Sequence, residues 1–321
     1  MEYFNWIFYK ILITIFILFI CDTTMLTIEH LLVHQKTSGL WALVRNNFLY
    51  RNYKNLSILK KNKRYEMIIM FVVVLLMILS SSLMLPVEGS FIFDFANEKK
   101  YALDNVSIIV FAAVVIAFFK VIMELATHRN PKGQKRLVFL TLSATIIQIL
   151  VLGIVTNYYS NTSWDKILNY QSNPMQWGVW YTPIGFLLFV FSGIMMISFG
   201  HKNYYERYFW NKDYFFNVNL FLEINRLMGF YHLLIATFLF LGGSKEAVYL
   251  SNIIQVESQQ LTYLLIAIFV VCAKVAAMVI VLSLLKQSLF PVNFYHIERL
   301  NYYVMFPLAS IMLVMAILKI H

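Results

Sequence analysis

Ionisable side chains inside long apolar runs are the residues of this sequence best suited to chemistry. Lys120 and Glu124 are four residues apart in one run, and Glu223 and Arg226 are three apart near the start of another. Either spacing puts two opposite charges on one helical face, where they can pair. Each pair is open to two interpretations, an ion pair that joins turns of a helix or a step in a proton path. Glu124 is also close enough to the end of its run to reach the polar surface.

Lys274 differs from these pairs because it stands alone in the middle of an apolar run. An unpaired ammonium at membrane depth costs several kcal/mol. The sequence therefore predicts that Lys274 either has a partner from another helix or subunit, or is neutral. We take Lys120, Glu124, Glu223, Arg226 and Lys274 as candidates for an ion path. The alternative is that Lys274 only ties two helices together.

The elements that position these residues are eight apolar segments, each near the roughly 20 residues that cross a hydrocarbon core. A backbone in lipid must satisfy its own hydrogen bonds, so the segments are predicted to be helices. The expected fold is all-α, a polytopic integral membrane protein with a single transmembrane domain over residues 1–321. The predicted spans are Asn5–Thr27, Met67–Val87, Asn105–Ala126, Leu137–Tyr158, Trp180–Gly200, Leu220–Gly242, Gln260–Leu285 and Tyr302–Lys319.

The distribution of basic residues predicts which loops face the cytoplasm, or the matrix of a mitochondrion. Of the 26 Lys and Arg, 17 lie in the loops after segments one, three, five and seven, and 4 in the loops after segments two, four and six. Basic loops stay on the inner side of a membrane. The net charge of +10 therefore reports topology and contact with anionic lipid, and we expect no nucleic-acid partner. Trp164 and Trp177, in an outside loop, are typical of interfacial anchors.

The first inside loop contains a further predicted element, an amphipathic interfacial helix within about residues 38–56. Apolar residues recur there at helical spacing, with basic residues between and beyond them. Such a helix lies in the plane of the membrane surface. The basic residues of this loop are candidates for docking a partner protein, namely Arg45, Arg51, Lys54, Lys60 and Lys61.

No motif for soluble-type catalysis is present. The sequence has no GxGxxG, no phosphate-binding loop and no HExxH. Its two cysteines, Cys21 and Cys272, both lie in apolar segments and are too few for an iron–sulfur cluster, which takes about four thiolates. His30 and His34 have no third ligand nearby. We expect no catalytic residue, no metal and no cofactor on this chain.

Over most of its length the chain resembles one known family, subunit 1 of respiratory complex I and its counterpart, the membrane anchor subunit of group 4 membrane-bound hydrogenases and formate hydrogenlyases. In the hydrogenase branch an acid at the end of the third span precedes Gly-Ser-Pro-Phe and Gly-x-Ser-Arg-Glu. Glu124, Thr127, Gly133 and Arg136 stand at the acid, the serine, the glycine and the arginine. The family also has a lone lysine in the seventh span before a proline-containing loop, as Lys274 is here.

The resemblance implies a non-catalytic membrane subunit of an oxidoreductase-type, ion-translocating complex. Its expected partners are antiporter-like membrane subunits and a soluble peripheral arm, docked by Arg136, Lys202, Glu206 and Asp213 among others. Two acids of the family are missing, since Leu137 and Thr145 stand in their places. A leucine cannot carry a proton and a threonine can only relay one. The hydrogenase-like branch, or a repurposed relative, therefore fits better than ordinary quinone reduction, and quinone binding is left open.

Two other functions stay open at this stage. One is a self-contained transporter or channel, and the other is a complex I-like subunit without quinone or redox chemistry. The expected location is the cytoplasmic membrane of a bacterium or archaeon, with the mitochondrial inner membrane as the alternative. The sequence does not distinguish proton from sodium translocation.

Overall fold

The structure is a computed structural model, which describes residues 106–127, 131–198, 231–247, 261–288 and 299–318. Residues 228, 229 and 250 are also described, with eight isolated positions between residues 12 and 75. Every regular element in these ranges is a helix, as the apolar segments predict. The amphipathic helix over 38–56, the first two predicted spans as continuous helices, and the start of the sixth lie outside the described residues.

Six longer helices and two short ones form the described part of the fold. We name them α1 to α8 in chain order. Their bounds are α1 Val106–Thr127, α2 Pro131–Tyr158, α3 Trp164–Tyr170, α4 Gly178–Tyr181, α5 Pro183–Ser198, α6 Tyr231–Phe240, α7 Leu261–Ser288 and α8 Phe306–Ile317. A short 3₁₀ turn, Pro174–Gln176, lies between α3 and α4.

Helix α2 lies at the centre of the described bundle, where α1, α5 and α8 contact it. Its residues Ala144, Ile147, Val151 and Val155 are completely buried. Over Val138–Tyr158 it is also the one described helix long and apolar enough to cross a membrane by length and composition. Shorter apolar stretches lie in five further helices. The number of eight spans therefore stays a prediction.

Prolines set several helix boundaries that the sequence analysis placed differently. The fourth segment was predicted from Leu137, but α2 begins six residues earlier at Pro131, because proline is well tolerated at the first helical position. The fifth segment was predicted as one helix from Trp180. The chain instead breaks at Thr182, since a residue before proline avoids the helical region, and α5 begins at Pro183.

The last helix contains a second proline adjustment. Residues Asn301–Met305 form a π-helical turn that leads directly into α8, and Pro307 is in the first turn of α8. Proline cannot donate a backbone hydrogen bond, and a widened turn before it lets the chain continue as one helix. The eighth segment thus stays helical although it contains a proline.

Polar side chains inside the apolar helices mostly bond to their own helix. Thr145 donates to the carbonyl of Thr141 at 2.8 Å, Ser192 donates to Phe189, and Thr237 donates to Leu233. These local bonds give each of the three hydroxyls an acceptor in surroundings without water. The hydrogen bonds that join different elements in the described ranges mark the places where polar groups meet.

Candidate functional site

The carboxyl end of α6 is shaped by two consecutive glycines. Gly242 and Gly243 both have positive φ, +70° and +57°. A Cβ on Gly242 would lie 2.6 Å from the carbonyl oxygen of Gln171, and one on Gly243 would lie 2.5 Å from the ring of Phe238. Only glycine meets both requirements. The chain therefore turns sharply here, and the carbonyl groups of Leu241 and Gly243 are accessible to a donor from another helix.

Gln171, which follows α3, holds this turn in place. Its side-chain nitrogen donates to the carbonyl of Leu239 at 2.8 Å, and its side-chain oxygen accepts from the backbone N–H of Gly242 at 2.9 Å. The side chain is fully buried. One amide thus satisfies a donor and an acceptor that the end of α6 would otherwise leave unpaired. The loops before α4 and after α6 are joined into one unit.

Lys274 of α7 donates into this unit from the facing helix. Its Nζ lies 2.5 Å from the carbonyl oxygen of Leu241, 2.8 Å from that of Gly243 and 2.5 Å from Oε2 of Glu246. An ammonium has three N–H donors, and all three are used. The negative end of the α6 dipole adds to the attraction. Lys274 and Glu246 form an ion pair with only 11% and 14% of their side chains exposed.

Trp177 completes the site from the segment between α3 and α4. Its indole Nε1 donates to Oε1 of Glu246 at 2.5 Å, and its ring lies under the Lys274 ammonium, 4.8 Å from Nζ to the ring centroid. The carboxylate therefore has a partner on each oxygen, and the ammonium gains a cation–π contact. Trp177 was predicted as an interfacial anchor, and the structure adds that its indole N–H bonds to the partly buried carboxylate of Glu246. Its position at a membrane interface stays a prediction.

A second polar cluster lies deeper along α6, at His232. Its Nε2 is 2.8 Å from the side-chain oxygen of Gln148 on α2, and its Nδ1 is 2.5 Å from the carbonyl of Met228. Lys120 of α1 is 2% exposed and acts electrostatically on the imidazole. His232 and Leu241 are nine residues apart, so the two sites are separated by about 13 Å along the helix. Buried apolar residues, Phe238 and Phe240 among them, occupy that interval.

The predicted site residues are distributed as follows. Lys274 has a partner, Glu246, which is one of the two outcomes that the sequence analysis left open. Lys120 is buried near His232. Glu124 lies in the last turns of α1, and Arg136 lies in the first turns of α2. The remaining predicted residues lie outside the described part of the chain, namely Arg45, Arg51, Lys54, Lys60, Lys61, Lys202, Glu206, Asp213, Glu223 and Arg226. The path that links Lys274 to Glu124 and Glu223 stays a prediction.

Sequence reasoning did not identify Glu246, Gln171 or His232 as site residues, and it gave Trp177 only the role of an interfacial anchor. One signal was available for Glu246, since Gly242-Gly243-Ser244-Lys245-Glu246 puts a glycine turn and an acid directly after an apolar run. No comparable signal existed for Gln171, whose contacts with α6 join residues 68 and 71 positions apart. Within the described ranges, no group of three or more His, Cys, Asp or Glu side chains could hold a metal ion.

The described helices belong to a class of all-helical bundle with apolar outer faces and buried, paired polar groups. No protein-family model matches the sequence, and no curated protein matches it. Its fold is similar to that of a chain in the solved structure of the membrane-bound sulfane sulfur reductase, an archaeal respiratory membrane complex. The TM-score is 0.63 at 15% identity, over 97% of this chain and 99% of that chain. The likeness establishes a shared fold over nearly the whole length of both chains.

Proposed function

We propose that this chain is a membrane subunit of a multi-subunit, complex I-like or group 4 hydrogenase-like respiratory assembly. In it, the chain anchors a soluble peripheral arm and contributes to proton or sodium translocation. The observation that carries the proposal is the fold shared end to end with a chain of a respiratory membrane complex. An unrelated helical protein that shared only some of its helices with that chain would not be expected to match it over 97% of its own length.

The surface of the described helices supports a membrane location. Phe111 and Phe118 of α1 are 68% and 60% exposed, and Phe269 of α7 is 71% exposed. Large phenylalanine faces are unfavourable in water and favourable against lipid or against other membrane subunits. The interior, in contrast, contains Lys120, Gln148 and His232. Polar groups inside and apolar groups outside are typical of a membrane bundle with a polar interior path.

Aromatic side chains near the end of α2 support the predicted outer surface of the membrane. The rings of Tyr158 and Tyr181 have centroids 5.6 Å apart, and those of Tyr159 and Tyr170 are 5.8 Å apart. Trp180 is 65% exposed beside them. Tyrosine and tryptophan concentrate at membrane–water interfaces. This cluster lies where the distribution of basic residues puts the outside end of the fourth segment.

Within the proposed assembly, two described polar sites lie along the ion path, the Lys274–Glu246 pair and the Lys120–His232–Gln148 cluster. When a neighbouring helix moves, either residue of a charged pair can exchange its partner for a proton or a cation. Charge can cross the apolar interval between the two sites only after water enters it or a side chain moves. This arrangement is suited to controlled passage and poorly suited to an open channel.

Partner identity is the direct test of the proposal. The chain is tagged in its native host, extracted in mild detergent and purified, and the accompanying proteins are identified by mass spectrometry. We expect antiporter-like membrane proteins and a soluble protein with redox-cofactor motifs, in fixed stoichiometry. A chain that purifies alone and moves ions in proteoliposomes would overturn the proposal in favour of a self-contained transporter or channel.

The path is tested separately with Lys274→Met, which removes the charge and keeps most of the bulk. An assembled complex that has lost coupled ion movement is the expected result. Normal ion movement by an assembled variant would assign Lys274 a purely structural role. Trp180→Phe, a change at an exposed aromatic of the same region, serves as the matched control and should leave ion movement unchanged.

A further inference from the structure

The three oxygen atoms around the Lys274 ammonium form a compact cage, which we define as the carbonyl oxygens of Leu241 and Gly243 with Oε2 of Glu246. All three lie within 2.8 Å of Nζ. We propose that this cage is a monovalent-cation site and that the ammonium of Lys274 is its resident cation. The inference concerns binding, so it stands whether or not the chain has the partners proposed above.

The cage is held in place by groups other than the lysine. Gln171 fixes the turn through Leu239 and Gly242, and the indole of Trp177 fixes the carboxylate of Glu246. The backbone conformation is set by the two glycines with positive φ. A site whose ligands are fixed before the cation arrives binds it without a reorganisation cost. Removal of the Lys274 side chain therefore leaves the oxygen atoms in position.

The chemistry of the cage specifies a small cation of single charge. Backbone carbonyls at the carboxyl ends of interrupted membrane helices replace the water shell of monovalent ions in transporters and channels. Here such carbonyls are joined by one carboxylate, which balances one positive charge. A divalent ion would leave an excess charge in surroundings of low polarity, where it is costly. Sodium, potassium and small alkylammonium ions all meet this requirement.

The proposal gives Lys274 a defined role in the native chain, which is to exclude a free cation from this cage. The cation in the native site is the ammonium group of the Lys274 side chain, so its charge can be removed only by loss of a proton. Exchange at this position is therefore linked to protons in the native chain. A chain with a small residue at 274 should instead hold a free alkali cation.

The test uses Lys274→Ala in the full chain, extracted with its native partners. Thermal unfolding is measured in choline chloride, sodium chloride, potassium chloride and methylammonium chloride at equal ionic strength. Choline is too large for the cage. For the variant we expect the lowest Tm in choline and a rise of roughly 3 °C or more with at least one small cation. The native chain should show no such cation-specific rise, because its own ammonium occupies the cage.

Lys274→Ala combined with Glu246→Gln is the matched control, since it keeps the cavity and removes the balancing charge. Its Tm should be the same in all four salts. An equal Tm for Lys274→Ala in all four salts would overturn the proposal. Cells supply potassium, so a cage that accepts a free cation should be filled during biosynthesis. Failure of both Lys274→Ala and Lys274→Ser to accumulate in the membrane would therefore overturn the proposal as well.

Discussion

At the scale of residues, the Lys274–Glu246 pair is stabilised by complete hydrogen bonding rather than by charge alone. Taking two charges out of water is expensive, and their attraction compensates only when the remaining donors and acceptors are also satisfied. Every N–H of the ammonium has an acceptor, and each carboxylate oxygen has a donor. Removing one of the two charges should therefore lower the free energy of unfolding by more than the intact pair contributes to it.

Glu246→Gln tests this asymmetry. The change leaves the Lys274 ammonium buried without a balancing charge, so we expect a loss of about 3 kcal/mol of stability, measured as a lower Tm of the purified complex. Lys166→Gln, an exposed charge on α3, is the control and should change stability by less than about 0.5 kcal/mol. Similar Tm values for the two variants would show that the pair contributes nothing. The coupling between the two residues is measured by making Glu246→Gln in a chain that already has Lys274→Gln. If the two side chains interact, Glu246→Gln lowers the stability of that chain by less than it lowers the stability of the native chain.

The indole nitrogen of Trp177 makes a separable contribution. Trp177→Phe keeps an aromatic ring under the ammonium but removes the donor to Glu246, which should cost about 1.5 kcal/mol. Trp180→Phe is its counterpart, because Trp180 donates to the carbonyl of Pro174 on an exposed surface. We expect the exposed bond to be worth less than the buried one. Comparison of the two Tm shifts checks this, and equal shifts would contradict it.

At the scale of elements, the end of α6 is the part of the fold on which the site depends. The turn must present two carbonyls to α7, receive the amide of Gln171 and leave room for Phe238. Such a turn cannot be reached by a regular helix or by residues with a Cβ. The geometry of the site is therefore set by the backbone turn that ends α6, and the charged side chains lie around that turn.

Gly242→Ala is the prediction at this scale. The added methyl group would require a strained φ and would meet the carbonyl oxygen of Gln171, so we expect a loss of at least about 2 kcal/mol. Gly185→Ala in α5 is the control, since its Cβ would meet only ordinary contacts at 3.6 Å or more. That change should be neutral or slightly stabilising in a helix. A drop in Tm for the control as large as that for Gly242→Ala would refute the steric argument.

At the scale of the whole molecule, the proposed function depends on which loops face each side of the membrane. The prediction is that the loop containing Lys61 is inside and the loop containing Glu98 is outside, because basic loops are retained on the inner face. Single cysteines introduced at these positions, in a chain whose own cysteines are replaced, should react with an impermeant thiol reagent from opposite sides. Reaction from the same side would exclude the alternating arrangement.

Docking of a peripheral arm makes a second prediction at this scale. Reversal of Arg51, Lys54, Lys60 and Lys61 to glutamate should release an acidic partner, and high salt should weaken the native contact for the same electrostatic reason. Lys99→Glu with Lys100→Glu, in a predicted outside loop, is the matched control and should leave the partner bound. Retention of the partner by the first variant, measured by co-purification, would move the docking face elsewhere.

The sequence by itself indicated an all-helical structure and marked Lys274 as a residue that needs a partner. Apolar runs of about 20 residues allow little other than membrane helices, because lipid forces each backbone to bond internally. The described helices α1, α2, α5, α6, α7 and α8 accordingly overlap six of the predicted segments, although α1, α2 and α7 extend beyond the predicted bounds. A lone lysine among apolar residues likewise requires a partner for energetic reasons that are independent of the fold.

Only the tertiary structure decided what that partner is. Glu246, Trp177 and Gln171 lie in connecting segments. The assembly of the site around Lys274 depends on where α6 stops and how α3 and α4 pack beside it. No local propensity encodes contacts between positions 28 to 71 residues apart. The same applies to His232 and Gln148, which are 84 residues apart. Pairing across such distances is a result of packing, because the helices must first associate before their polar groups can bond.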